Sequence, residues 1–507
     1  MLSKINSYTL DGIEGLKVDI EVDINAGLPS YDIVGLVGTA VKESRERVRS
    51  AIKNSHFGYP LKKITINLAP ADIKKEGAFD LPIAVGVLIA SEQMHSVDYK
   101  DYIILGELSL DGSVKHIKGI LPIIISGLQS GYKKFIIPWD NKTEASYIEG
   151  IEVFAVKSLV ETCDFLEQHN LEKTKLSVYE NIKNVNKYNV DFCEVKGQKV
   201  AKRALEIAVA GGHNILMIGP PGTGKTMLAK CVPTIMPVIS FDEAIEVTKI
   251  HSIAGTLDSS EGIITSRPFR TPHHSATIPS LTGGGANSKP GEISLAHNGV
   301  LFLDEMPEYS RHALETLRQP LEDGVVTISR VKQTIEYPAR FMLIASMNPC
   351  PCGNYGSDKP CKCSDGEIKR YISKLSGPLL DRIDLHVEVD SISYQDLRKD
   401  SVAENSATIK ERVESARAIQ RQRYKNSDVF TNAQMTNAMQ KKYCKIELES
   451  EILLQKAYEN LNLSARASSR ILKVARTIAD LDGSENILMN HIAEAIQYRS
   501  LDRKYWD

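Results

Sequence analysis

Eight residues, Gly219-Pro220-Pro221-Gly222-Thr223-Gly224-Lys225-Thr226, constrain this chain more than any others. They fit the pattern G-x-x-x-x-G-K-[ST] at every fixed position. An apolar run before them, Asn214 to Ile218, predicts a strand, and Met227 to Cys231 after them predicts the start of a helix. A strand feeding a helix through a glycine-rich turn aims several backbone N–H groups at one point, and such a point binds nucleotide phosphates. Lys225 is placed to reach the β- and γ-phosphates of ATP, and the Thr226 hydroxyl to hold Mg²⁺. The fold class that accommodates this unit is α/β.

Two further apolar runs end in polar residues downstream. Gly299 to Leu303 is followed by Asp304 and Glu305, and Phe341 to Ser346 leads to Asn348. A buried strand has no packing reason to end in two acids. A Mg²⁺-bound triphosphate supplies one: Asp304 for the metal, Glu305 to polarise the attacking water. At Asn348 a neutral amide could orient that water without adding charge. Each strand end alone could be a polar cap. Two such strand ends in series behind a P-loop predict a nucleoside triphosphatase.

Composition bounds the rest. A length of 507 residues exceeds one core and implies about three domains. The 62 basic and 64 acidic residues nearly cancel, so any nucleic-acid contact has to come from a local patch. The longest apolar runs, Leu81 to Ala90 and Ile120 to Ile125, fall short of the ~20 residues of a membrane span. No signal-peptide pattern opens the chain, and a soluble cytoplasmic protein without membrane partners is expected.

Residues 1–170 alternate strand-like and helix-like runs, 171–190 form a polar linker rich in Lys and Asn, and 191–392 hold the nucleotide motifs. From 393 to 507 long helical patterns take over: Glu404 to Tyr424, Glu449 to Asn460, Ala465 to Leu481 and Met489 to Tyr498. Four of the eight cysteines cluster as Cys350-Pro-Cys352 and Cys361-Lys-Cys363, with a turn-rich gap between the pairs. Four thiolates brought together suit tetrahedral Zn²⁺; four reduced cysteines or a redox pair are the alternatives.

The segments Arg267-Pro-Phe-Arg270-Thr-Pro-His273-His274, Gly283-Gly-Gly285 and Pro290-Gly-Glu292-Ile-Ser-Leu-Ala-His297-Asn-Gly-Val-Leu-Phe-Leu-Asp304-Glu305 resemble the magnesium-chelatase-like branch of the AAA+ ATPases. With the added N-terminal domain, the whole chain resembles the ComM/YifB family. The resemblance implies an AAA+ P-loop ATPase core with a helical lid and a helix-2 insert, assembled as a homo-hexameric ring. ComM-like proteins are DNA branch-migration helicases that assist integration of incoming strands in natural transformation. Magnesium chelatase itself remodels a partner protein, which leaves a chelatase-type remodelling ATPase as one alternative and a non-catalytic ATP-binding scaffold as another. In Ser376-Gly-Pro-Leu-Leu-Asp381-Arg382-Ile-Asp384, Arg382 matches the arginine finger; an intrachain pair with Asp381 or Asp384 is the competing reading. In Leu463-Ser-Ala-Arg466-Ala, Arg466 matches the lid's sensor arginine, with Arg470 one helical turn on as a competitor.

The N-terminal segment resembles the Lon-protease catalytic fold, an α+β Lon-protease/ribosomal-S5-like domain. The position of the nucleophilic serine is Phe79, in Lys75 to Pro82, and that of the lysine falls near Leu121. Neither side chain supplies a nucleophile or a base, so no peptidase activity is expected. Contacts to single-stranded or branched DNA are expected from the helix-2 insert, which carries Arg267, Arg270, His273, His274 and Lys289 among glycines. A second basic stretch, Lys410 to Lys425, reads as a solvated helix face.

Overall fold

A computed structural model of the chain describes residues 2–35, 39–70, 79–94, 98–179, 188–258, 261–285, 288–330, 333–356, 359–391, 404–461 and 463–506. The chain divides into two compact units. The first joins Met1–Asn184 to Ser240–Thr265, and the second joins Val185–Ile239 to Ser266–Asp507.

In the first unit, strands Leu2–Asp11 and Glu14–Asn25 form a long antiparallel hairpin at the centre of a seven-stranded mixed sheet. The second of these strands shows why the sheet packs on one face: Val18, Ile20, Val22 and Ile24 are buried, while charged residues alternate with them. Against this sheet lies the helix Asp80–Ala90, every residue of which is buried. Its sequence reads equally as a strand or a helix, because a fully buried helix loses its amphipathic period. Phe79 and Leu121, at the positions of the Lon-type nucleophile and base, are buried in the apolar core. Residues 75–78, the start of that serine-loop resemblance, lie outside the described residues.

Helix Phe241–Ala254 belongs to this first unit although it follows the P-loop helix in sequence. A capping box between Ser240 and Glu243 starts it, and Gly255, in the left-handed region at φ 74°, ends it. Its Ile245 packs against the cluster containing Ile120 and Ile124. The polar stretch that begins at Leu171 is also tied down at first: the Thr174 and Ser177 N–H groups donate to the Val153 and Ser146 carbonyls.

The second unit is built on a five-stranded sheet, parallel throughout. Its order is Phe269–Arg270, Val300–Leu303, Met342–Met347, Ile215–Ile218, Leu385–Glu388. All residues of the three central strands are buried, as expected for a sheet covered on both faces. Helices Lys199–Gly211 and Lys225–Ile235 cover one face with the C-terminal helices, and Met306, Tyr309, Leu314 and Tyr371 help cover the other. The lid comprises Ser406–Arg423, Leu448–Asn460, Ala465–Leu481 and Met489–Gln497, close to the sequence expectation, and no strand follows Glu388 among the described residues.

The basic stretch from Lys410 to Lys425 departs from expectation. Arg412 pairs with Glu206 and Glu404, Arg417 donates to the Val209 carbonyl, and Arg423 grips the buried Asp480 through two bonds of 2.6 and 2.7 Å. These cations hold the lid to the helix Lys199–Gly211 and to its own core. A charged helix face looks solvated in sequence when its acidic partners lie far away along the chain.

Candidate nucleotide site

The P-loop strand ends at Ile218, and the following turn is tight. Gly222 and Gly224 take φ of 81° and 89°, a region that favours glycine. The helix Lys225–Ile235 starts directly from this turn. A Cβ on Gly219 would lie 2.1 Å from the Val389 carbonyl oxygen, so the loop's first glycine is required by close packing.

Lys225 is only 8 % exposed. Its Nζ donates to the carbonyls of Gly219 (2.7 Å) and Pro220 (2.8 Å) and to Asn348 Oδ1 (3.3 Å). Burial pulls its pKa down to about 8, against the attraction of Asp304 and Glu305. Thr226 Oγ1 donates to Asp304 Oδ2 at 2.8 Å, and Ser346 Oγ donates to the other carboxylate oxygen. No motif position marks Ser346 in the sequence, although its place on the strand that leads to Asn348, two residues before it, is a usable signal. Glu305 is exposed and its backbone is left-handed at φ 50°, an uncommon conformation for glutamate. Its N–H is fixed by Ser346 Oγ (3.2 Å) and Asp304 Oδ1 (3.1 Å). The expected P-loop, acidic strand end and asparagine therefore converge on one mouth. Thr226 and Asp304 present two hard oxygen donors at hydrogen-bond distance, a donor set that fits Mg²⁺.

The two arginines are placed differently. Arg382 is buried; it donates to the Pro378 carbonyl at 2.7 Å and pairs with Glu322, rather than with Asp381 or Asp384. Arg466 is exposed on the first turn of helix Ala465–Leu481, after the Ser464 cap, and contributes to the positive field on Glu322. Arg470 is committed to Asp384, which also meets His213 and the Asn214 N–H. Burial alone would raise the Asp384 pKa, but the Arg470 guanidinium holds it well below the usual carboxylate range.

A cavity of about 390 Å³ is lined by Gly197, Gln198, Val200, His386, Glu388 and Tyr498 among others. Gln198 joins it to the P-loop: its amide nitrogen lies 2.6 Å from the Asp390 carbonyl and 3.4 Å from that of Thr223. No motif spacing points to Gln198; its left-handed φ of 53° next to Gly197 is a structural signature only.

The DNA-contact candidates separate into two groups. Arg267 donates to the Pro237 and Asn298 carbonyls, both at 2.8 Å, and Arg270 forms a two-bond pair with Glu292 at 2.7 and 2.8 Å. His273, His274 and Lys289 are exposed, and the two histidine rings lie 4.0 Å apart. An antiparallel ribbon, Val325–Arg330 with Gln333–Pro338, packs through Val326 and Ile328 against the core of the same unit and has no counterpart in the sequence expectations.

The four clustered cysteines do meet. Their Sγ atoms all lie within 4.8 Å of one another, with separations of 3.4, 3.7 and 3.6 Å among Cys350, Cys352 and Cys361. These are too long for disulfides and near the edge of a ZnS₄ tetrahedron, about 3.8 Å for Zn–S bonds of about 2.3 Å.

The sequence is similar to known proteins along its length. Residues 191–397 match the family described as Magnesium chelatase, subunit ChlI; residues 20–141 match Subunit ChlI of Mg-chelatase; residues 403–499 match Magnesium chelatase, subunit ChlI C-terminal. The chain is 43 % identical over 506 residues to Competence protein ComM of Haemophilus influenzae, covering 99 % of this chain and 98 % of the relative. It is 44 % identical over 505 residues to protein YifB of Escherichia coli strain K12, with the same coverage. Magnesium-chelatase subunit ChlI of Nephroselmis olivacea is 22 % identical over 332 residues, which is 60 % of this chain and 86 % of that protein. No helix among the described residues is long and apolar enough to cross a membrane. The convergent P-loop, acidic strand end and helical lid, and the full-length similarity, lead to one assignment: the chain belongs to the ComM/YifB family of magnesium-chelatase-like AAA+ ATPases.

Proposed function

We propose that this protein is a cytoplasmic, ATP-hydrolysing ring motor that acts on single-stranded or branched DNA. Its task would be branch migration during integration of incoming DNA. The observation that carries the hydrolytic part is the meeting of Lys225, Thr226, Asp304, Glu305 and Asn348 at one mouth. The Competence protein name of a relative at 43 % identity supports the DNA part. In this reading residues 1–170 form the Lon-like domain, 171–190 a linker, 191–392 the ATPase core and 393–507 the lid. Phe79 and Leu121 offer no nucleophile or base, so we assign the first domain no peptidase chemistry.

Each residue's duty follows from its chemistry. The N–H groups of the Gly219–Thr226 turn and the Lys225 ammonium bind the phosphates. Lys225 would exchange its loop carbonyls for phosphate oxygens, and that exchange favours its charged form against burial. Thr226 and Asp304 would hold Mg²⁺. Bound there, the ion neutralises charge on the phosphate oxygens. Glu305 accepts a proton from the attacking water, and Asn348 orients that water. Arg382, released from Glu322, would reach a neighbouring protomer's nucleotide in a homo-hexameric ring, and Arg466 would act from the lid. The cavity beside Gln198 suits a nucleobase, because it adjoins the loop that takes the phosphates. Cys350, Cys352, Cys361 and Cys363 would hold one Zn²⁺.

His273, His274 and Lys289 are the DNA contacts we favour, since Arg267 already binds the Pro237 and Asn298 carbonyls and Arg270 already binds Glu292. A phosphate-dominated contact of this kind is salt-sensitive and weakly sequence-dependent. The test is an ATPase assay with branched DNA, with single-stranded DNA and without DNA, beside strand displacement on the branched substrate. Stimulation by DNA and displaced strand are expected. Turnover indifferent to DNA but raised by a partner protein would favour chelatase-type remodelling, which the 22 % likeness to a chelatase subunit keeps as a second reading. Absence of turnover would mean an ATP-binding scaffold, against which the exposed Glu305 argues.

A further inference from the structure

We infer that the four-cysteine knuckle is a zinc brace for the phosphate-binding loop, so that metal occupancy sets nucleotide affinity. This rests on the nucleotide reading above and adds a mode of regulation to the same site.

Three contacts carry the inference. The first is covalent: Cys350 follows Asn348 by two residues, and Asn348 accepts a hydrogen bond from Lys225 Nζ. Cys350 itself is 0 % exposed and packs in the core that holds the P-loop strand residues Leu216 and Ile218. The second is steric. Gly353, between the two cysteine pairs, takes φ 80°, and a Cβ there would lie 2.5 Å from Pro221 Cδ and 3.1 Å from its Cγ. The knuckle's turn therefore rests directly on the second proline of the P-loop. The third is the far side of the knuckle. Cys363 leads into helix Asp365–Ile372 through its Ser364 cap, and Tyr371 of that helix packs in the same core as Cys350, Leu216 and Ile218.

One metal ion would thus close a short loop whose first end adjoins Asn348, whose turn meets Pro221 and whose far end leads into a helix packed in the same core as Cys350. The Tyr355 N–H donates to Cys350 Sγ at 3.3 Å, a bond that also favours a thiolate at that sulfur. Without the ion, four sulfurs held only by weak S–H contacts leave the loop free to open. The turn then ceases to press on Pro221, and the loop's N–H groups lose their common aim. Two ligands that share one rigid wall must help each other to the same degree, so nucleotide should retain zinc as strongly as zinc retains nucleotide.

The experiment uses the full chain purified without chelator. Metal analysis is expected to give about one zinc per chain. Affinity for a fluorescent ADP analogue is measured on zinc-loaded protein, after zinc extraction under reducing conditions, and after zinc is restored. Extraction should weaken binding about tenfold, restoration should recover it, and saturating ADP should tighten zinc binding about as much, read from the equilibrium partition of zinc between the protein and a chromogenic chelator. Gly353→Ala should keep its zinc and still bind ADP more weakly, which a purely folding role for the metal would not produce. Circular dichroism of each form separates local loosening from unfolding. Zinc well below one per chain, or equal ADP affinity with and without zinc, would overturn the brace while leaving the ATPase reading intact. Zinc-loaded protein that binds no ADP would overturn both.

Discussion

Two glutamates, one in each unit, show how differently a carboxylate can be used in the same chain. Glu305 is exposed at the end of a buried strand, on a left-handed backbone, with its N–H fixed by two acceptors. Glu144 is only 4 % exposed and is closed in by donors: Ser252 Oγ at 2.5 Å, the Leu121 N–H at 3.3 Å and Asn141 Nδ2 at 3.4 Å. Burial pushes the Glu144 pKa up to about 7 despite these donors. Both are convergent polar clusters, yet only the first is open to solvent and has a strained backbone to explain. Convergence without access is architecture; convergence with access and strain is the signature of a working site.

The same isosteric change should break the two regions in opposite ways. Glu305→Gln removes the proton acceptor and keeps the shape, so ATP turnover should fall by roughly 10²–10⁴-fold. Affinity for ADP should hold, measured by calorimetry on the same preparation. Glu144→Gln should leave turnover unchanged. If Glu305→Gln turned over at the parental rate, the open mouth would have no claim over the closed cluster.

Glu144 should reveal itself through pH instead. Its folded pKa lies above the usual 4.5, so between pH 4.5 and about 7 the folded state binds more protons than the unfolded one. Its contribution is fully present below pH 4.5 and is lost as pH rises through 7. The difference amounts to about 3 kcal/mol between pH 4.5 and pH 8. Protection against hydrogen exchange in helix Phe241–Ala254, whose Ser252 donates to Glu144, taken relative to the base-catalysed intrinsic rate, should fall over that range in the parent and change far less in Glu144→Gln. A flat profile in the parent would mean that the cluster takes up its charge without penalty.

The two regions also differ in how far sequence could reach them. The nucleotide mouth is assembled from short local patterns: eight consecutive residues, a strand ending in Asp304-Glu305, and another leading to Asn348. Parallel strands deliver such ends to one edge of a sheet. The lid helices are legible for a similar reason, since their apolar residues recur at helical spacing. The Glu144 cluster leaves no such trace, because Ser252 and Glu144 are 108 residues apart and meet only after the chain has left the P-loop helix and joined the first unit. Arg382 with Glu322, 60 residues apart, and Arg412 with Glu206, 206 residues apart, were hidden in the same way. Sequence spacing identifies which residues carry charge, but long-range pairing decides which of those charges are spent on packing.

Within the mouth, Lys225 offers a finer test of access. Burial favours its neutral form, with a pKa of about 8. Bound phosphate requires the cation, so ADP affinity should be steady below pH 8 and decline above it, by at most about tenfold per pH unit. Lys225→Arg, whose charge persists across this range, should give a flatter profile whatever its absolute affinity. An undiminished affinity at pH 9 in the parent would show that the ammonium does not meet the phosphates.

The smallest effect separates the two groups of basic residues in the insert. Lys289 is exposed on the short ribbon Lys289–Pro290, so its loss removes one phosphate contact and little else. Lys289→Ala should weaken DNA binding uniformly across sequences and reduce the slope of log affinity against log salt by about 1. Arg270 is bound by Glu292, and Arg270→Ala would leave that carboxylate without its partner at the insert. Its effect should therefore be seen first in thermal stability, and restoring neutrality with Glu292→Gln in the same chain should recover much of the loss. If instead Arg270→Ala lowered the salt slope as Lys289→Ala does, with melting unchanged, the ion pair would open to DNA, and the division between structural and contacting cations would have to be redrawn.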